Sequence, residues 1–178
     1  MYPPDPLQKV ISKFPDVALV PTPEKFVREP SAQIKVPPAK LREVSKFLKE
    51  NSDLAFDMPN NMTAVDYLKE NIFELVYFLY STKKKQGLVM KSQIARDVAE
   101  IDSVSDIWEG LDWQEREVFD LFGIKFKGHP NLKRIMMWEG FPGYPLRKDY
   151  VHTTDKYDSG LEVGTPGLDE KGLPIKKV

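Results

Sequence analysis

The sequence predicts an α+β domain. Helical and strand-like hydrophobic periods follow one another in the order helix, strands, helix, strands. The run from Phe73 to Ser81 is almost unbroken aromatic and branched residues, the composition of a strand covered on both faces. The chain has 178 residues, 41% hydrophobic and 30% charged, which is enough to build one core and too apolar for disorder throughout.

Asp5-Pro6-Leu7-Gln8 reads as a helix start, with Asp as cap and Pro at the first helical position; Leu7, Val10, Ile11 and Phe14 then keep helical spacing until Pro15. Between 17 and 36, Val17 and Leu19, then Ala32, Ile34 and Val36, alternate with polar neighbours as two short strands. After Pro37-Pro38 the positions Leu41, Val44, Phe47 and Leu48 form the apolar stripe of a second helix. Leu54, Phe56 and Met58 alternate again. The strand at 73–81 is followed by a turn at Lys83-Lys84-Lys85-Gln86-Gly87 and a partner strand from Leu88 to Ala95, with Leu88, Met90 and Ile94 inward, so the central element is expected to be a hairpin. The lysine run reads as a solvated tip that discourages edge association. Ser103 to Trp108 is expected to start a short helix ending at Gly110, and Asp112-Trp113-Gln114-Glu115 repeats a capping pattern for another that runs to Phe122, where Gly123 supplies a left-handed stop. Ile124 and Phe126 form a strand stub before the turn Gly128-His129-Pro130-Asn131.

Composition removes whole classes of chemistry. There is no cysteine, so thiolate catalysis, disulfides and cysteine-bound Fe–S clusters are impossible in this chain. Two histidines, His129 and His152, without metal-ligand spacing leave metal catalysis unsupported. Lys plus Arg number 26 against 27 Asp plus Glu, so no long-range field draws nucleic acid or anionic lipid. The start lacks a secretory or transit pattern, and no apolar run approaches the ~20 residues that cross a bilayer. Phosphate-binding glycine loops, a nucleophile elbow and an EF-hand loop are all absent.

The informative stretch is 113–150. Arg116 and Asp120 are four apart on a helix and can pair, with Glu117 adding like charge; one reading is a solvated helix face. Glu115 and Glu117 are two apart and point to different sides, which disfavours a catalytic carboxylate pair. His129 before Pro130 reads as a turn histidine bonded to backbone or carboxylate, in preference to a proton-transfer group. Gly123, Gly128 and Gly140 read as solutions to backbone geometry.

Glu-Arg-Glu-x-x-Asp-x-x-Gly-Ile-x-Phe-x-Gly-His-Pro-x-Leu-x-Arg-Ile at 115–135, with Trp113 before it and Gly143-Tyr144-Pro145-Leu146-Arg147-Lys148-Asp149-Tyr150 after it, resembles the signature of the 30 kDa subunit family of respiratory complex I. The family includes counterparts in plastids and cyanobacteria. Thr63 to Tyr67, the strand at 73–81 and Ser103 to Trp108 fall in the family's order, so the resemblance covers roughly residues 30–150. Tyr144 stands where the family often has His or Trp, and Met136-Met137 where Leu-Met is more usual.

The resemblance implies a two-layer domain with a mixed sheet, in a subunit of a proton-pumping NADH:quinone oxidoreductase. It implies a subunit without flavin, Fe–S cluster or quinone of its own, those lying in partner chains. It places the subunit in the quinone module of the peripheral arm, non-catalytic, holding the large hydrogenase-like quinone-site subunit and the small Fe–S subunit. The membrane would be met only through the assembly, at the cytoplasmic face of the plasma membrane, and nucleic acid is not an expected partner. On that basis 113–150 is expected to be docking surface with its scaffold: Arg134, Arg147 and Lys148 as donors for partner carboxylates, Phe122, Pro145, Leu146 and Tyr150 as apolar anchors, and Gly123 and Gly128 on the scaffold side. Residues 1–150 are then the domain, and 151–178, with scattered Leu161, Leu168 and Ile175, a tail expected to lie extended on a neighbouring subunit. Two rivals stay open: a homologous subunit of an energy-converting hydrogenase or other-donor dehydrogenase, and, more distantly, a free-standing enzyme or RNA-binding module.

Overall fold

The computed structural model describes residues 6–21 and 32–151. Its first helix, α1 (Pro6–Lys13), buries Val10 and leads into Phe14, which meets Phe47 edge-on at 5.6 Å. The expected cap, Asp5, lies outside the described residues. Strand β1 (Ala18–Val20) pairs antiparallel with β2 (Ala32–Lys35), as the alternation predicts. Helix α2 (Leu41–Glu50) follows a single 3-10 turn at Pro38–Lys40 and buries Leu41, Val44, Ser45 and Leu48, the stripe set by helical spacing.

The sheet is mixed, in the order β1-β2-β5-β4-β3, with β2 and β5 parallel and the other neighbours antiparallel. The central element is a three-stranded meander, β3 (Met58–Tyr67), β4 (Ile72–Ser81) and β5 (Gln86–Ala95), where the sequence suggested a hairpin. Strand β3 is hidden in the sequence because it opens on Met58-Pro59-Asn60-Asn61, which reads as a turn. The structure accommodates Pro59 at an irregularity in the pairing between Pro59 and Asn61, on an edge strand where proline costs no interior ladder bond. Leu54 and Phe56 are buried but precede the strand in a non-repetitive segment. The β4–β5 turn is Thr82 to Lys85, with Lys85 itself left-handed at φ 53°, so Gly87 belongs to the strand.

Register puts Ile34, Met90, Tyr77 and Met62 on one line across the sheet, and Ile94, Phe73 and Asp66 on another. This face carries the core together with α1 and α2. Phe73, Leu75, Tyr77, Leu88 and Met90 are at most 1% exposed, so the inner layer is sealed.

The expected helix at 103–108 is instead a turn leading to a 3-10 turn at Glu109–Leu111. Its backbone is satisfied from outside, since the Val104 N–H donates to the Glu115 carboxylate at 2.8 Å. Helix α3 (Asp112–Phe122) therefore starts without a side-chain cap: Asp112 is already helical, and Glu115 serves the 103–105 loop. A second, small sheet pairs β6 (Glu100–Asp102) with β7 (Lys125–Lys127) in parallel; β7 contains the predicted stub residue Phe126, with Ile124 buried just ahead of it, while β6 is too short to show a period.

Candidate docking surface

Helix α3 sorts its side chains sharply. Glu115, Val118, Asp120 and Phe122 face inward, and Trp113 and Glu117 face solvent. The expected Arg116–Asp120 pair is not formed. Arg116 lies over the Trp113 ring at 4.8 Å and donates from Nε to the Lys133 carbonyl, whereas Asp120 is fully buried and bonded to the chain that follows. A carboxylate without exposure cannot belong to a solvated helix face, so that reading is corrected at Asp120; Glu115 is equally buried.

Residues 131–151 contain no helix or strand, yet they are fastened to the domain along their length. At the start, Asp120 Oδ2 accepts the N–H groups of Ile135, Met136 and Met137 at 2.9, 2.7 and 2.9 Å, while Oδ1 faces Arg134 Nη1 at 3.6 Å. Burial pushes this carboxyl up, but the three amide donors and the Arg134 charge outweigh it and hold the group below its ordinary 3.8. The anchor is thus complete above the ordinary aspartate range and is lost only as pH falls through its lower folded value.

In the middle, Arg134 Nη2 donates to the Gly143 carbonyl at 3.1 Å and its guanidinium sits 5.3 Å from the Tyr144 ring. The Leu146 N–H donates to the Leu121 carbonyl at 3.0 Å, and Arg147 Nε to the Phe122 carbonyl at 2.6 Å. These bonds satisfy carbonyls at the end of α3 that the helix itself leaves free. Gly123, left-handed at φ 73°, has the Tyr144 ring directly against it: a Cβ there would lie 2.4 Å from the ring. Arg147 is sandwiched between Tyr144 at 4.7 Å and Phe73 at 5.2 Å.

At the far end, Lys148 N–H donates to Asp66 Oδ2 at 2.8 Å. Arg96 bridges the same carboxylate and Asp149, with Nη2 at 3.2 Å from Asp66 Oδ2 and 2.7 Å from Asp149 Oδ1. Its Nε is 2.8 Å from Asp66 Oδ1 at an angle too oblique for a straight hydrogen bond, an ion pair with no exposed area on the carboxylate side. The Arg96 hydrogen bond holds the Asp149 carboxyl below its usual range.

The segment is therefore a strap pinned at two buried carboxylates, and among the charged residues it exposes it holds several large apolar side chains outward. Met136 is 60% exposed, Val151 61%, and Trp138 and Leu146 about half; Trp113 of α3 is 65% exposed. Trp138 and Phe141 meet edge-on at 4.6 Å, and Phe141 stacks on Tyr150 at 6.2 Å. Large aromatic and Met side chains held out by a fixed backbone are the composition of an interface core.

The structure redistributes the predicted roles. Phe122 is a core residue, edge-on to Phe73 at 6.2 Å, and is not an external anchor. Arg134 and Arg147 each direct a donor to this chain's own carbonyls; Lys148 and Lys133 keep exposed side chains. Leu146 is exposed, and Pro145 and Tyr150 are half-buried in the strap. Glu117, Gly128 and Pro130 lie at the surface. The buried His129 ring bonds the Asp112 carbonyl at 3.2 Å and the Asn131 N–H at 3.0 Å. Sequence reasoning missed Asp66, Arg96 and Tyr144 as anchors. The available signal was Asp66 at an inward place in the alternation Met62, Ala64, Asp66.

No group of three or more His, Asp or Glu among the described residues is arranged to hold a metal ion, and no helix among them is long and apolar enough to cross a membrane.

Residues 34–156 match the family described as respiratory-chain NADH dehydrogenase, 30 Kd subunit. The chain is 43% identical over 116 residues to a subunit of the NADH-quinone oxidoreductase of Rhizobium meliloti, an alignment spanning 65% of this chain and 63% of that protein, so less than two thirds of the relative is represented. Among solved structures, a chain of the membrane-bound sulfane sulfur reductase, an archaeal respiratory membrane complex, superposes with a TM-score of 0.68 at 27% identity, covering 95% of this chain and 96% of that one. A trypsin-resistant fragment of Nqo5 superposes with a TM-score of 0.57 at 22% identity, covering 71% and 98%, and shares the α+β fold.

Proposed function

Because the chain belongs to the respiratory-chain NADH dehydrogenase 30 kDa subunit family, we propose that it is a non-catalytic docking subunit in the quinone module of the peripheral arm of an NADH:quinone oxidoreductase. It holds the large hydrogenase-like quinone-site subunit and the small Fe–S subunit, and it meets the membrane only through them, on the cytoplasmic face. Flavin, Fe–S clusters and quinone belong to those partners; a chain without cysteine has no thiolate to offer a cluster. One observation carries this reading: a strap without regular structure is fixed by Asp120 and Asp66 while presenting Met136, Trp138 and Leu146 to solvent. Rigid display lowers the ordering cost of association, so the contact energy goes into binding. Lys133 and Lys148 at its margin are suited to steering by acidic surfaces.

The test is gentle affinity purification of the tagged chain from its own detergent-solubilised membranes, with mass spectrometry and an absorption spectrum of the eluate. Co-elution of quinone-site and cluster-bearing subunits is expected. Elution of the chain alone, from the soluble fraction, overturns the proposal. A second reading, a homologous subunit of a respiratory membrane complex fed by another donor, is favoured by the resemblance to the sulfane sulfur reductase chain. The donor-side subunits recovered in the same purification decide between the two.

A further inference from the structure

A second cluster of titratable groups lies on the inner side of α3 and makes no contact with the strap's anchors. Its centre is Glu115, whose side chain has no exposed area. Oε2 lies 2.5 Å from Ser103 Oγ, and Oε1 accepts the Val104 N–H at 2.8 Å. Ser103 Oγ is in turn 2.8 Å from Ser105 Oγ and accepts the Ser105 N–H at 3.2 Å. His129, with an equally buried ring, brings Nε2 to 4.0 Å from Glu115 Oε2. Since Nδ1 accepts the Asn131 N–H, the ring proton sits on Nε2 and is directed to the Asp112 carbonyl.

The charges around Glu115 come from every element packed on it, and they do not neutralise it. On α3 there is Asp112, on the 103–108 loop Asp106, on β4 the buried phenol of Tyr77, and on α2 Arg42. The Arg42 fork is already held by Asp106 at 2.7 and 2.8 Å and by the Ser103 carbonyl at 2.5 Å. A carboxylate here has hydrogen bonds but no counter-ion of its own. Burial is the largest influence and raises its pKa to about 7, with Asp106 and Asp112 adding to the rise and the bonds from Ser103 and Val104 opposing it.

The Glu115–Ser103–Ser105 oxygen contacts can be kept in either protonation state. With Glu115 ionised, the Ser103 hydroxyl donates to Oε2 and accepts from Ser105. With Glu115 protonated, its O–H donates to Ser103 Oγ, whose own proton turns to Ser105 Oγ. Only hydrogens move: each oxygen keeps its oxygen neighbour, and in the protonated form the Ser105 hydroxyl hydrogen turns away from Ser103 Oγ. We propose that Glu115 is a buried proton-binding site that retains its proton in the folded chain because its side chain is sealed from water without a counter-ion of its own, the Ser103–Ser105 pair accommodating either protonation state, and so couples the closure of the 103–108 loop on α3 to pH. The proposal does not depend on the docking reading.

The sign follows from the raised folded value. Between the ordinary carboxyl range near 4.5 and about 7 the folded chain binds a proton that the unfolded chain has lost, so stability falls as pH rises across that window and levels off above it. Urea unfolding of the full chain at pH 5 to 8.5 is expected to show an unfolding constant roughly a hundredfold larger at pH 8 than at pH 5. Glu115→Gln keeps an acceptor for Val104 and a donor for Ser103, and it is expected to remove most of that slope and to be more stable than the wild type at pH 8. An unchanged slope in Glu115→Gln overturns the proposal. Should that variant fail to fold, carbon-13 NMR of glutamate carboxyl carbons in the wild-type chain decides: one glutamate titrating near pH 7 supports the site, and all of them titrating near 4 to 5 exclude it.

Discussion

Gly123→Ala is expected to lose roughly 2–5 kcal/mol of stability, combining a left-handed alanine with a methyl group driven into an aromatic ring. The geometry leaves no alternative seat. The residue is at φ 73° with its amide closing α3 on the Phe119 carbonyl, so the backbone cannot relax without unwinding the helix end. On the other side Tyr144 would meet the new Cβ at 2.4 to 2.7 Å along one ring edge, and that ring is wedged against Arg134 and Arg147. The ring must leave, and it takes with it the Arg147 bond to the Phe122 carbonyl and the Leu146 bond to Leu121. Denaturant unfolding gives the stability loss, and tryptic cleavage at Lys133 and Arg134 reports the released strap. A variant with wild-type stability and protease resistance would show that Tyr144 does not pack on Gly123 in solution.

Asp120→Ala is expected to cost about 3–5 kcal/mol, because three amide donors that share one carboxylate oxygen, and the charge of Arg134 beside it, are left without their acceptor at once. Asp120→Asn separates the contributions. It keeps one oxygen for the amides but removes the charge facing Arg134, and its expected loss is smaller, about 1–2 kcal/mol. Hydrogen exchange at the Ile135, Met136 and Met137 amides checks the assignment: fast exchange in Asp120→Ala and intermediate exchange in Asp120→Asn. Equal exchange in all three proteins would mean that Asp120 does not fasten the strap.

How much of this was legible in the sequence depends on the length over which a signal repeats. Helices α1 and α2 and strands β4 and β5 span enough residues for their period to emerge, and their inward residues Val10, Leu41, Val44, Leu48, Leu88 and Met90 are the buried ones. The left-handed stop at Gly123 was readable because glycine at a helix end has few other uses. Strand β3 was not readable, since Pro59-Asn60-Asn61 carries local turn chemistry that only the neighbouring β4 overrides. The 103–108 turn was misread for the same kind of reason. A capping pattern is a local signal, whereas the acceptor that holds Val104 comes from Glu115, eleven residues on.

The strap was legible as a signature and illegible as a structure. Its order comes from Asp66 on β3, Arg96 in the turn after β5 and Asp120 on α3, contacts that have no sequence period. The same cause gave Arg134 and Arg147 internal acceptors: Arg147 takes the Phe122 carbonyl left free at the end of α3, and Arg134 the Gly143 carbonyl of the strap itself. What the strap displays to a partner includes its exposed apolar side chains and the lysines at its margin.

The most direct test of the docking account is therefore a variant that alters the displayed surface and spares the anchors. Met136→Asp with Leu146→Asp places two charges on exposed side chains whose backbone bonds to Asp120 and Leu121 are unchanged. The account predicts an isolated chain within about 0.5 kcal/mol of wild-type stability, together with at least a tenfold loss of the quinone-site and Fe–S subunits co-purified from native membranes. Full recovery of those subunits with the doubly charged strap would contradict it.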